Sequence, residues 1–303
     1  MKKIGLALGG GGARGFAHIG ILKAFEAAKI PVCCISGTSM GAIIGGAYAA
    51  DPDARRLENN VRELLASEVF SVMRFDLFKK SGKEHEPGII SKTKNLILNS
   101  YIHIVEETKV SLIGLGKLEE AVNFIVPDID IAETKIRFSC TATDLSKGVG
   151  KLFEKGSLRR AVLASASIPG IFPPVLINGS YYCDGGQVNN TPVAAVKAMG
   201  ADFAVACEVK SDLKHYESFQ KARDVLFRAN NVTNVMLHEL QLKDADMVIS
   251  PPIKHLHWTD FDKIDAIISG SEKEAQLKLS QLKKHTGKPD FIQKILRFFN
   301  RIK

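Results

Sequence analysis

Two glycine-bearing turns, each set between an apolar run and a helical pattern, constrain this chain more than any other feature. Ile4–Leu8 is a short apolar run that reads as a buried strand, and Gly9 to Gly12 break it. Over residues 16–29, Ile19, Leu22, Ala24, Phe25 and Ala28 recur at helical spacing until Pro31 stops them. The same order then repeats. Residues 32–35 are apolar, residues 36–41 form a turn, and a small-residue stretch to Ala50 reads as a buried helix ended by Asp51-Pro52. Strand–turn–helix twice over predicts an α/β layered fold. The opening Met1-Lys2-Lys3 followed by apolar residues looks like the start of a signal peptide. Its apolar part is too short and meets glycines rather than a cleavage pattern, so it is read as the first strand.

Further along, residues 53–73 show a charged helical pattern, and residues 79–88 are polar with Gly82, Pro87 and Gly88, as in a loop. Residues of about 76–130 are expected to form a helical insertion or lid. A strand is expected over 136–143, a helix over 158–166, a rigid proline-rich loop over 168–174, a helix over 192–199 and a strand over 203–209. Asp184 is placed in a loop after Tyr181-Tyr182-Cys183, and the chain beyond 210 is expected to be mostly helical. The five cysteines are odd in number and lack ligand spacing, so they read as buried reduced thiols in a cytoplasmic protein rather than as disulfides or a zinc site.

Three motifs carry chemistry. Gly37-Thr38-Ser39-Met40-Gly41 fits GxSxG. A serine on a sharp strand-to-helix turn projects its hydroxyl clear of the backbone, and the flanking glycines let the turn close. Gly9 to Gly12, with Ala13, Arg14 and Gly15, put backbone N–H groups at a helix start, where a phosphate or a developing oxyanion is held. Gly10, Gly12 and Gly15 also satisfy GxGxxG. A dinucleotide site wants an acid about 20 residues later, and none stands between Glu26 and Asp51. Phe16 occupies the place a phosphate-loop lysine would need. Asp184-Gly185-Gly186 either carries a base or forms an ordinary Asp-Gly turn. A Ser…Asp…His triad would have to draw on His255 or His257. The serine, directly after the second strand, stands too early for that order.

Together the three motifs resemble the patatin-like phospholipase family, which joins a glycine-rich loop followed by a base, GxSxG, and a later DGG or DGA in this order. The resemblance covers about residues 4–210. It extends to Arg14-Gly15-Phe16-Ala17-His18-Ile19-Gly20 and to residues 166–174, although Gly9 stands where some members carry Asp. It implies a three-layer α/β sandwich with a central, mostly parallel sheet flanked by helices, to which the sequence pattern adds a mostly helical C-terminal region over 211–303. It also implies a serine acyl hydrolase of lipid esters working by a Ser39–Asp184 dyad, with no metal and no cofactor. The amides of Gly10, Gly11 and Gly12 would hold the oxyanion, Arg14 would support that loop or attract a phosphate headgroup, and Gly15, Gly37, Gly41, Gly185 and Gly186 would shape the turns. An aspartate of ordinary pKa, about 3.9, is a weak base at neutral pH, so burial has to raise it. The alternative is a membrane-associated adaptor that keeps the fold without activity.

The chain carries a formal charge of +8, which favours anionic partners. The basic amphipathic segment 288–303, with Phe291, Ile295, Phe298 and Phe299 among Lys294, Arg297 and Arg301, is expected either to lie at a membrane surface or to pack on protein. A nucleic-acid partner is not expected, and an oligomer is compatible with the sequence.

Overall fold

A computed structural model describes residues 2–73, 109–210, 213, 218–219 and 222–286. Among them run eight strands: β1 (Ile4–Leu8), β2 (Val32–Thr38), β3 (Arg137–Asp144), β4 (Val149–Phe153), β5 (Val175–Ile177), β6 (Ser180–Asp184), β7 (Phe203–Cys207) and β8 (Met247–Ile249). They form one sheet in the order β5-β6-β3-β2-β1-β7-β8, with β4 also paired to β3. The β3-β2-β1-β7-β8 block is parallel, and β4, β5 and β6 join it antiparallel.

The helices are α1 (Ala17–Ala27), α2 (Met40–Ala50), α3 (Ala54–Ala66), α4 (Glu68–Ser71), α5 (Leu115–Ile125), α6 (Leu158–Ala166), α7 (Val193–Ala198), α8 (Ala222–Leu242) and α9 (Ile264–Thr286). They lie on both faces of the sheet, and the alternation of side chains along β1 shows it. Leu6 and Leu8 enter the large core with α1, α2, α6 and α9, while Ala7 enters a smaller one with Val193 and Val196 of α7. A strand covered on both faces is apolar throughout, as β1 is. The fold is therefore a three-layer α/β sandwich.

Four features depart from the sequence-based expectation. The helix over 53–73 is two helices, α3 and α4, broken at Ser67, whose hydroxyl bonds the Leu64 carbonyl at 2.6 Å. Asp184 is not in a loop; it is the last residue of β6. Past residue 210 the chain adds to its two long helices a short strand, β8, which pairs with β7. The core also continues past that boundary, through Ile249, Ile253, Phe261, Ile267 and Leu279. There α9 packs so closely on α1 that any side chain at Gly20 would overlap the Ile268 carbonyl. Of the expected insertion, α5 is a core helix burying Leu118, Val122 and Ile125. Residues 76–108 and the tail 288–303 lie outside the described residues. No helix among the described residues is long and apolar enough to cross a membrane.

Candidate active site

The site forms where two strands run out against each other. Residues 140 and 141 of β3 pair with β2 on one side and β4 on the other, while residues 142–144 pair with β4 and β6. Strands β2 and β6 therefore share one side of β3, end to end and running toward each other. Thr38, the last residue of β2, is opposite Thr141, and Asp184, the last of β6, is opposite Ala142. The pairing register alone brings Ser39 and Asp184 together from 145 positions apart.

Ser39 turns the chain from β2 into α2 at φ 55°, ψ −122°, a left-handed φ that side chains other than glycine rarely adopt. Surrounding contacts hold it there. Its N–H donates to Ser165 Oγ at 3.0 Å, and Ser165 in turn donates to the Thr141 carbonyl at 2.6 Å. Its carbonyl accepts the first helical N–H groups, from Ala42 and Ile43. Gly41 is required because a side chain there would overlap the Leu8 carbonyl, so α2 sits directly on the end of β1. Gly37 faces the Gly41 carbonyl with equally little room, and Gly15 lies against the Met40 side chain.

Asp184 is buried at 6% exposure. Its Oδ1 accepts the Gly186 N–H at 2.7 Å, and its backbone carbonyl accepts Thr143 Oγ1 at 2.9 Å. Burial pushes its pKa up from the ordinary carboxylate value to about 6, and hydrogen bonds from the Ser39 side chain and the Gly186 amide restrain the rise. Gly185 packs against the Thr141 carbonyl and Thr38, where no side chain fits.

The glycine loop lies beside the serine, with Gly10 facing the Ser39 Cβ. Gly10 was expected to offer its amide to an oxyanion, but that N–H donates to the Asn190 carbonyl at 3.1 Å, and Asn190 Nδ2 reaches back to the Gly10 carbonyl. The part-exposed N–H groups of Gly11 and Gly12 have no acceptor among the described residues. Gly12 takes φ +57° with the Trp258 carbonyl pressed against it, which suits only glycine.

Arg14 is buried, and burial lowers its pKa to about 10 against the pull of Asp260. Its Nε and Nη1 donate to the carbonyls of Val209 and Leu256 at 2.8 and 2.9 Å, which tie it to the chain on either side of the glycine loop. His18 Nε2 donates to the Gly9 carbonyl at 2.7 Å, and burial lowers its pKa to about 4, so it is neutral near pH 7. His257 Nδ1 meets the Thr259 hydroxyl at 2.7 Å.

Ser165, Asn190 and His18 thus brace the site from three directions. Reading the sequence assigned no role to Ser165 or Asn190, because a single serine or asparagine with no motif around it carries no signal. Among the described residues no cluster of His, Cys, Asp and Glu is disposed to hold a metal ion.

Comparison with known proteins places the chain in a family. The family profile described as patatin-like phospholipase matches residues 6–197. The sequence is 35% identical over 212 residues to lysophospholipase nte1 of Emericella nidulans, a match covering 69% of this chain and 12% of that protein. It is 28% identical over 291 residues to lysophospholipase NTE1 of Meyerozyma guilliermondii, covering 88% of this chain and 18% of the relative. The chain thus spans less than a fifth of either relative's length. In structure it is similar to VipD from Legionella pneumophila, at TM-score 0.50 and 18% identity, over 94% of this chain and 67% of that one. The matched stretch contains both strand ends and all three motifs, and the chain belongs to the patatin-like phospholipase family.

Proposed function

We propose that the chain is a serine acyl hydrolase of lipid esters, of the phospholipase A, lysophospholipase or esterase type, with Ser39 as nucleophile and Asp184 as its base. The observation that carries this is the end-to-end meeting of β2 and β6, which sets a strained serine against a buried carboxylate of raised pKa. As Ser39 Oγ attacks the ester carbonyl carbon, its proton passes to Asp184. The carbonyl oxygen becomes an oxyanion that the Gly11 and Gly12 amides stabilise. Collapse expels the alcohol, which takes the proton from Asp184 and leaves an acyl-serine. Water then attacks, with Asp184 again as base, and releases the fatty acid.

A small apolar cavity of about 70 Å³ is lined by Phe16, Ile44, Leu64, Phe70, Phe261 and Met40, the residue after the nucleophile. Its lining suits a few methylene groups of an acyl chain rather than a whole one.

A panel of soluble esters, phospholipids and lysophospholipids tests the reading. The wild-type chain should release fatty acid. Ser39→Ala and Asp184→Asn should each lower kcat by roughly 10³-fold or more with unchanged circular dichroism. Turnover surviving in purified Ser39→Ala would refute the assignment.

A further inference from the structure

Helix α8 departs from the amphipathic rule at its first half. Its anchors lie in the second half. Asn234 accepts from Lys210 Nζ at 2.9 Å and lies 3.5 Å from Gln187 Oε1, His238 meets Thr191 at 3.0 Å, and Gln241 donates to the Val188 carbonyl at 2.7 Å. These partners follow the C-terminal ends of β6 and β7, so they mark the rim on which Ser39 and Asp184 open. From Gln241 the chain descends to β8 beside the body of β7. Residues 222–233 extend past these anchors toward the start of the helix, for about 18 Å at helical rise. Every one of them whose burial is described is at least partly exposed.

That end is apolar where water would favour polar residues. Leu226 is 71% and Phe227 64% exposed, and Val225 and Val232 are exposed as well. Val225, Leu226 and Phe227 are consecutive, so they point around some 200° of the helix. A flat protein surface covers one side of a helix, whereas a lipid headgroup boundary surrounds an inserted end. Charge fits the same occupant. From Lys221 to Arg228 the sequence holds three bases, Lys221, Arg223 and Arg228, against Asp224, in a chain of net charge +8.

We infer that the first half of α8 is a membrane-docking element that inserts Val225, Leu226 and Phe227 into an anionic lipid surface and seats the catalytic rim on the bilayer. The inference rests on the lipid-ester reading above only for its purpose; the docking itself does not need a working serine.

The test uses the full chain, phosphatidylcholine vesicles with and without phosphatidylglycerol, and a soluble short-chain ester. Leu226→Asp combined with Phe227→Asp should weaken binding to the anionic vesicles about tenfold or more, while soluble-ester turnover and melting temperature stay at the wild-type level. Leu277→Asp, on an exposed face of α9 away from the rim, should bind vesicles as the wild type does. Ser39→Ala should also bind fully. Unchanged vesicle binding in the double variant would overturn the inference. So would sedimentation equilibrium showing a wild-type dimer that the double variant dissociates, which would make this face a subunit interface. Absence of soluble-ester turnover in the wild type would refute the hydrolase reading and leave the vesicle result standing.

Discussion

At the scale of single residues, Asp184 holds two opposed demands. The base proposed for Ser39 needs a raised pKa, and burial supplies it. The same burial makes the ionised form costly, and the Ser39 and Gly186 hydrogen bonds recover only part of that cost. The direction in pH follows. Between the ordinary value of 3.8 and about 6, the folded chain keeps a proton that the unfolded chain releases. This group's contribution to stability therefore falls as pH rises through that window, by ~3 kcal/mol in all if the whole shift is counted. Asp184→Asn removes the charge and keeps an acceptor for the Gly186 amide. It should melt at or above the wild-type temperature at pH 8, with the advantage shrinking toward pH 4. Urea or thermal melts across pH check this, and a clear loss of stability at pH 8 would mean that the carboxylate is held by attractions stronger than those described. His18 and His238, both lowered to about 4 by burial, act in the opposite sense. Their contribution is complete above pH 6.5 and is lost as pH falls toward 4.

At the scale of elements, the site depends on how closely α2 approaches β1. A methyl group at Gly41 would overlap the Leu8 carbonyl, and neither is on a flexible side chain. Gly41→Ala should cost about 3 kcal/mol or more and should abolish turnover along with stability, as measured by chemical denaturation beside ester hydrolysis. The contact with the Leu8 carbonyl was not legible in the sequence, but the glycine at 41 was, as part of a contiguous strand, turn and helix. The same holds for the glycine loop and for α6, whose bounds match the periodicity. What was not legible is non-local. That Asp184 ends a strand, and that this strand abuts β2, depends on pairing with β3. The Gly10 amide is spent on Asn190, 180 positions away, and no glycine pattern announces that. The three-residue β8 is too short to show a period, and the break at Ser67 lies within an unbroken helical pattern.

At the scale of the molecule, the chain past residue 210 closes the fold. Strand β8 covers the free edge of β7, and α9 covers α1 with Ile264, Ile267, Ile268, Ala275 and Leu279. Lys23 of α1 ties two helices of the same face together by pairing with both Glu58 of α3 and Glu272 of α9. A chain ended at 210 would expose the α1 face and leave Arg14 without the Leu256 carbonyl. It should be insoluble or molten when expressed, whereas a chain ended at 286 should unfold cooperatively, and both outcomes can be read from near-ultraviolet dichroism and melting curves. A soluble, cooperatively folding 1–210 fragment would show that the C-terminal layer is an accessory rather than part of the core.

The proposed chemistry requires that the residue-39 hydroxyl be made reactive by the carboxylate beside it. The rate and position of attack on a fluorophosphonate, followed by peptide mass spectrometry from pH 5 to pH 9, measure that directly. One adduct should form, on Ser39, at a rate that rises through pH of about 6 and levels above it, and in Asp184→Asn the rate should be roughly 10³-fold lower and independent of pH. An adduct on another residue, or an Asp184→Asn chain that reacts as fast as the wild type, would contradict the proposed chemistry.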